Sequence, residues 1–465
     1  MAEVQPVTSA IPADAAPEPA VAAGAESEAT PREALIYLGG LSSESGKSVT
    51  GVVARIADAL DKADTSMATW RVHWSDAAVR RTEAPVATTP LATIYRKTEA
   101  SELPVLDIFH YDWSKRLMDD WEGRSLFRRT LSVLFSLIKF WEYPAKFGAA
   151  AKTARGKMQL LVAMIMLAAM VFYAGALLFA GYQTVRQVWD STAGDEKVTA
   201  TTTTIATTTT VAGVPAADPA EGPADTSGAT TWQRLVIIGG LGVATFKKQG
   251  DRLRASGGAL TAADHYVRLG ARRHNLAGEL QALCEGLSKT GRHPTVRFVG
   301  YSFGAIVAID TLFPTTAVPV GSLQAVNGLT TIGAPYDFVH AIRSDWRDNR
   351  YAGSSPPVWI NIYSPTDVLG SNFRDDNQDG VATRGIAVTA ADSGIQGGAP
   401  QTISPSSNLT WSLGVKLTFR NLIMLTGFTN HSEYWGDDAE VDHNVFDDLV
   451  LHMYAGTSVL GNLTG

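Results

Sequence analysis

Five consecutive residues of this 465-residue chain have the types and spacing for nucleophilic chemistry: Gly300-Tyr301-Ser302-Phe303-Gly304. A serine hydroxyl is a weak nucleophile. It attacks a carbonyl usefully only when a turn presents it and when the charge developing on the carbonyl oxygen is stabilised. A strand that bends directly into a helix meets both needs. The bend is so tight that side chains two residues either side of the serine would strike strand or helix, hence the two glycines. The bend also aims the amide of Phe303, at the positive end of the helix, at the oxyanion. The flanks read correctly for this: Thr295-Val296-Arg297-Phe298-Val299 is a strand pattern, and 305–312 is helical.

The serine needs a base, usually histidine, itself oriented by a carboxylate. In the fold class that carries its nucleophile on such a bend, acid and then histidine follow it in chain order. Asp367 stands one short loop after the strand pattern 358–363, with Asp337 as the reserve acid. His431, in Asn430-His431-Ser432-Glu433-Tyr434-Trp435, is the expected base, with His443 in reserve. A second oxyanion amide should come from the loop after an early strand, and Gly39-Gly40-Leu41-Ser42 follows the apolar run Leu35-Ile36-Tyr37-Leu38. Glycines there allow a backbone to approach substrate closely. Leu41 and Ser42 are therefore the expected donors, with Gly239-Gly240-Leu241 as the other site.

The elements that must hold these groups alternate. Strand patterns at 35–38, 70–74, 103–109, 295–299, 323–332 and 358–363 are interleaved with helical periodicity at 49–60, 275–287 and 305–312. That order is the mark of an α/β sheet. Residues 1–31 are Ala-, Pro- and Glu-rich and read as a disordered tail. The single cysteine, Cys284, lies in an apolar helical pattern and reads as a small core residue.

Between the two halves the composition changes. Residues 126–143 mix apolar and basic side chains, as an interfacial helix does. Leu160 to Ala180 carries no charge and no proline, and a run of about 18 or more such residues is the signature of a membrane helix. Residues 191–231 are Thr-, Ala- and Pro-rich and read as a loop; 231–246 is a second, shorter apolar segment. Lys139, Lys146, Lys152, Arg155 and Lys157 precede the first run, and Lys247, Lys248, Arg252 and Arg254 follow the second. Positive flanks stay cytoplasmic, so the expectation is a membrane hairpin with both halves of the fold on the cytoplasmic side. The competing topology has one span, with a cytoplasmic amino-terminal domain and an external hydrolase. A net charge of −7 argues against nucleic acid as a partner.

Two further motifs compete for attention. Leu41 to Ser48 nearly satisfies the phosphate-loop pattern, with Lys47 as its lysine and Asp107 as the candidate Walker B acid, which would make the first half a nucleotide-binding module joined through the membrane to a hydrolase, but Gly40 stands one residue too early. Asp375-Asp376-Asn377-Gln378-Asp379-Gly380 begins like a calcium loop, yet Ile386 occupies the position of the bidentate glutamate. An inactive hydrolase fold serving as a membrane scaffold is the third alternative.

The elbow, Thr331-Ile332-Gly333-Ala334-Pro335, Asp367-Val368 and His431 with Tyr434-Trp435 resemble lipases of the fungal class 3 kind over 295–436. The first half resembles bacterial α/β-hydrolase-like membrane proteins whose core is interrupted by an inserted hydrophobic region. Phe109-His110-Tyr111-Asp112-Trp113 precedes that insertion and Asp264-His265-Tyr266-Val267 resumes the core. Two departures stand out: Gly39-Gly40 where a His-Gly pair is usual, and Tyr301 where such elbows often carry histidine. The resemblance implies an α/β-hydrolase with a mostly parallel sheet, helices on both faces and a transmembrane helical insertion. Its core would comprise 32–120 and 263–465, with 121–262 inserted and a transmembrane helix at 158–182. The expected activity is cleavage of lipid-like carboxylic esters at the cell membrane by Ser302, Asp367 and His431, with oxyanion amides at Phe303, Leu41 and Ser42, and with no metal or cofactor.

Overall fold

All six residues of β1 (Glu33–Leu38) are buried, because the strand lies in the middle of a sheet covered on both faces. The structure is a computed structural model. It describes residues 31–41, 45–64, 68–75, 89–125, scattered positions in 127–189, 261–268, 270–315, 323–352, 358–365, 367, 369–374, 380–390, 401–411, 431, 434 and 445–447. The fold is mixed α/β, built on a large, mostly parallel eight-stranded sheet.

The remaining strands of that sheet are β2 (Thr69–Trp74), β3 (Ala92–Lys97), β4 (Glu102–His110), β5 (Thr295–Tyr301), β6 (Val326–Ile332), β8 (Val358–Tyr363) and β11 (Ser407–Thr410). They run in the order β11-β8-β6-β5-β1-β4-β3-β2. Only the β2–β3 and β3–β4 pairings are antiparallel. β1 pairs in parallel with β4 on one side and β5 on the other. Strands from before and after the inserted region thus share one sheet, joined at its centre, although about 180 residues separate β4 from β5. A small second sheet joins β10 (Gln401–Ile403), β9 (Ile386–Ala390) and β7 (Arg350–Ala352).

Strand alternation divides the core in two. Leu35, Tyr37, Ile108, Val299 and Ile332 face α1 (Ser45–Ala63) through its Val49, Val52, Val53, Ile56 and Leu60. Ala34, Ile36, Leu38, Phe109, Phe298 and Leu329 face the other way. There they meet α3 (Gly270–Lys289), α4 (Phe303–Leu312) and α5 (Tyr336–Ile342). α4 is buried along its whole length, which explains why its sequence is apolar all round. Cys284 sits in this second core with no exposure, and burial pushes its thiol up to about 12.

The strand expected at 323–332 begins only at Val326, Leu323 belonging to the turn before it. β3 was not expected at all. α2 (Trp113–Glu122) leads out of β4 towards the inserted region. Among the described residues no helix is long and apolar enough to cross a membrane. The expected transmembrane helix at 158–182 is described only at scattered positions, and the Thr-rich segment and second apolar segment lie outside the described residues. The described positions of the first run are not uniformly outward-facing. Leu167 is buried in the core on the α3 side of the sheet and Leu160 packs against it, while Met164, Val171, Leu178 and Phe179 stand about half exposed. Ser136 Oγ also donates to Asp264 Oδ2 at 2.9 Å. These described positions of the inserted region, Ser136, Leu160 and Leu167, therefore pack on the α/β domain.

Candidate active site

Ser302 has φ 53° and ψ −127°, a backbone conformation rare outside glycine. It stands between β5 and α4, and its amide donates to the Ile332 carbonyl at 2.8 Å, which seats the bend on the neighbouring strand β6. The flanking glycines are explained by space. A Cβ at position 300 would come within 2.5 Å of Ala305 Cα, and one at 304 would overlap the Leu38 and Gly39 carbonyls. The strain held in the serine persists because the surrounding packing over-determines it.

His431 Nε2 lies 2.6 Å from Ser302 Oγ, and His431 Nδ1 lies 2.9 Å from Asp367 Oδ2. Asp367 is wholly buried, and His431 is 9% exposed. Burial by itself would raise the Asp367 carboxyl. The charge of His431 and hydrogen bonds from His431, Tyr434 and the Gly370 amide outweigh it, so the group is held below the ordinary carboxylate value. Leu369 N also donates to Asp367 Oδ1 at 2.9 Å. A buried carboxylate ringed by donors is a fixed negative charge, suited to aligning an imidazole and stabilising its protonated form.

Two tyrosines complete the arrangement, and neither role was legible in the sequence. Tyr434 OH donates to Asp367 Oδ2 at 2.8 Å and accepts from the Ser364 amide at 2.9 Å. Its position explains two glycines. A Cβ at Gly333, where φ is +57°, would sit 2.8 Å from the Tyr434 ring, and one at Gly370 would sit 2.5 Å from Asp367 Oδ2. Tyr301 stacks on the His431 ring at 5.4 Å and 24°, and its hydroxyl donates to the His431 carbonyl. The elbow residue next to the serine thus clamps the imidazole from one side. Pairs separated by 64 to 130 residues leave no local periodicity to find.

The reserve acid Asp337 is occupied elsewhere, accepting from Arg384 Nη1 and from Ser371 Oγ, each at 2.7 Å. His443 lies outside the described residues. Phe303 opens α4, and among the described residues nothing accepts its amide hydrogen. Of the expected second donors, Leu41 is described and packs against the core, whereas Ser42 lies outside the described residues. Gly40 comes near Ser302: a Cβ on it would stand 3.3 Å from Ser302 Cβ. The calcium-like residues 375–379 and the alternative loop at 239–241 are outside the described residues, as are positions 42–44 of the phosphate-loop pattern. Among the described residues no group of three or more His, Cys, Asp or Glu is placed to hold a metal.

Chemically, the arrangement can deprotonate a serine, carry the proton on an imidazole and offer unpaired backbone amides to an oxyanion. A scan against protein-family models, a search of curated proteins and a search of solved structures each returned no match to this chain.

Proposed function

We propose that the chain is a serine hydrolase of the α/β-hydrolase type that cleaves carboxylic esters through an acyl-enzyme on Ser302. The observation that carries this reading is the continuous relay from Ser302 Oγ through His431 to a buried Asp367, at 2.6 and 2.9 Å. Ser302 Oγ attacks the ester carbonyl and passes its proton to His431 Nε2. Asp367 stabilises the imidazolium. The Phe303 amide and an amide of the Gly40-Leu41 loop receive the oxyanion. Collapse expels the alcohol, which takes the proton from His431. Water then attacks the acyl-enzyme with His431 as base, releasing the acid and restoring the serine.

The substrate class we propose is a lipid-like, amphiphilic ester, with the inserted region at a membrane and the catalytic domain on the cytoplasmic side. Its support is the uncharged run 160–180 with basic residues before it. Phe127, Leu131 and Phe135, exposed at four-residue spacing, add an apolar stripe of the kind that enters a bilayer interface. The test is labelling of membranes from expressing cells with a fluorophosphonate probe. Wild type should label, Ser302→Ala should not, and His431→Ala should label far more slowly. Labelling retained in Ser302→Ala would end the reading.

A further inference from the structure

We propose that Trp113 is a positioning residue for the oxyanion hole, holding the Gly39-Gly40-Leu41 loop against the elbow. The inference rests on the serine-hydrolase reading. Trp113 is the first residue of α2 and has no exposure. Its indole Nε1 donates to the Gly39 carbonyl at 2.8 Å, across 74 residues of sequence. Its ring stacks on that of Phe303 at 5.5 Å and 29°, and Tyr266 packs edge-on to Phe303 behind it. One side chain therefore touches both sources of oxyanion amides, the loop after β1 and the residue after the nucleophile.

The need for such a contact follows from the loop's composition. The peptide between Gly39 and Gly40 is flanked by two residues with almost no backbone preference, so local sterics do not choose its orientation. A trans peptide is planar with C=O and N–H opposed, so fixing the Gly39 oxygen fixes the direction of the Gly40 N–H. The loop lies against the elbow: a side chain on Gly304 would overlap the Gly39 carbonyl, and one on Gly40 would reach Tyr301 and Ser302. Among the described residues the amide hydrogens of Gly40 and Leu41 have no acceptor, so they are free to bind an oxyanion. With the indole donor gone, the buried Gly39 carbonyl lacks its hydrogen bond, and turning that peptide to recover one would carry the amides away.

The experiment compares wild type, Trp113→Phe and Ser302→Ala on a p-nitrophenyl ester, with active sites counted by fluorophosphonate titration. An alkyl trifluoromethyl ketone, whose serine adduct carries an oxyanion, is the inhibitor. Trp113→Phe keeps the ring stacking and removes the donor. The expected result is a fall in kcat on the order of 10²-fold, the usual effect of losing one oxyanion donor, with KM changed by less than about twofold. Affinity for the ketone should fall in parallel with kcat/KM. A purely structural role would reduce the number of titratable sites and leave kcat per site and ketone affinity alone; that result overturns the proposal. Should Trp113→Phe fail to fold, Trp113→benzothienylalanine, which keeps the ring volume and replaces N–H with sulfur, is read against the same two outcomes. Activity surviving in Ser302→Ala would instead refute the hydrolase reading, so the two failures are distinct.

Discussion

Replacing Asp367 with asparagine tests the relay at its most constrained point. Its carboxylate accepts from His431 Nδ1, Tyr434 OH and the Leu369 amide, and the Gly370 amide bonds to it as well. An amide of the same shape has one acceptor and one donor in place of two acceptors. With its NH2 towards Leu369, two donors face each other in a fully buried site. With its NH2 towards His431, the imidazole must accept at Nδ1 and carry its proton on Nε2, where it can no longer take one from Ser302. Asp367→Asn should therefore lower kcat by about 10⁴-fold, or ~5 kcal/mol of transition-state stabilisation, with KM little changed. The unsatisfied contact should cost about 1–3 kcal/mol of folding stability, visible as a lower urea midpoint. The assay is ester turnover per titrated site in protein shown to be folded by circular dichroism. A folded variant with kcat within tenfold of wild type would refute the assignment of Asp367 as the orienting acid.

Three other outcomes follow from the same geometry. Tyr434→Phe removes one donor to Asp367 and the hydroxyl that the Ser364 amide bonds; kcat should fall on the order of tenfold, about 1.4 kcal/mol, near the lower end of what one hydrogen bond to a charged group contributes. Gly304→Ala forces a methyl into the Leu38 and Gly39 carbonyls and should abolish folded protein, whereas Gly278→Ala on α3, where a Cβ meets nothing, should be tolerated in the same expression test. Asp107 is buried and bonded to Arg32, Thr93 and His293. Burial opposes its charge, but those partners prevail and hold it below the ordinary value of 3.8. A depressed carboxyl contributes stability that is present above its unfolded value and is lost as pH falls through the folded one. Asp107→Asn should therefore lower stability at pH 7 and flatten its loss below about pH 4, as read from urea midpoints across that range.

The chain's local patterns were enough for some of this, and the division has a physical cause. The bend at Ser302 is legible because its demands are met within five residues, where a missing side chain at 300 and 304 is the whole signal. The α/β alternation is legible because burial on both faces of a parallel strand imposes an unbroken apolar run, as in β1. Asp367 and His431 could be named from chain order and from the polar stretches that follow apolar ones, although order alone does not bring side chains together. Tertiary structure decided that β1 stands between β4 and β5, so that distant halves share one sheet. β3, whose Ala92, Thr93 and Ile94 are buried but whose last three residues are only half-buried, has too short an apolar signature to announce an antiparallel strand. It also decided the contacts of Tyr301, Tyr434 and Trp113. Each makes a hydrogen bond to a group more than 65 residues away, and an aromatic residue at a core position looks the same in sequence whether its polar end meets a buried carboxylate, a loop carbonyl or a turn. Apolar patterning specifies what must be buried; the identity of the buried polar partner is settled only when the chain closes on itself.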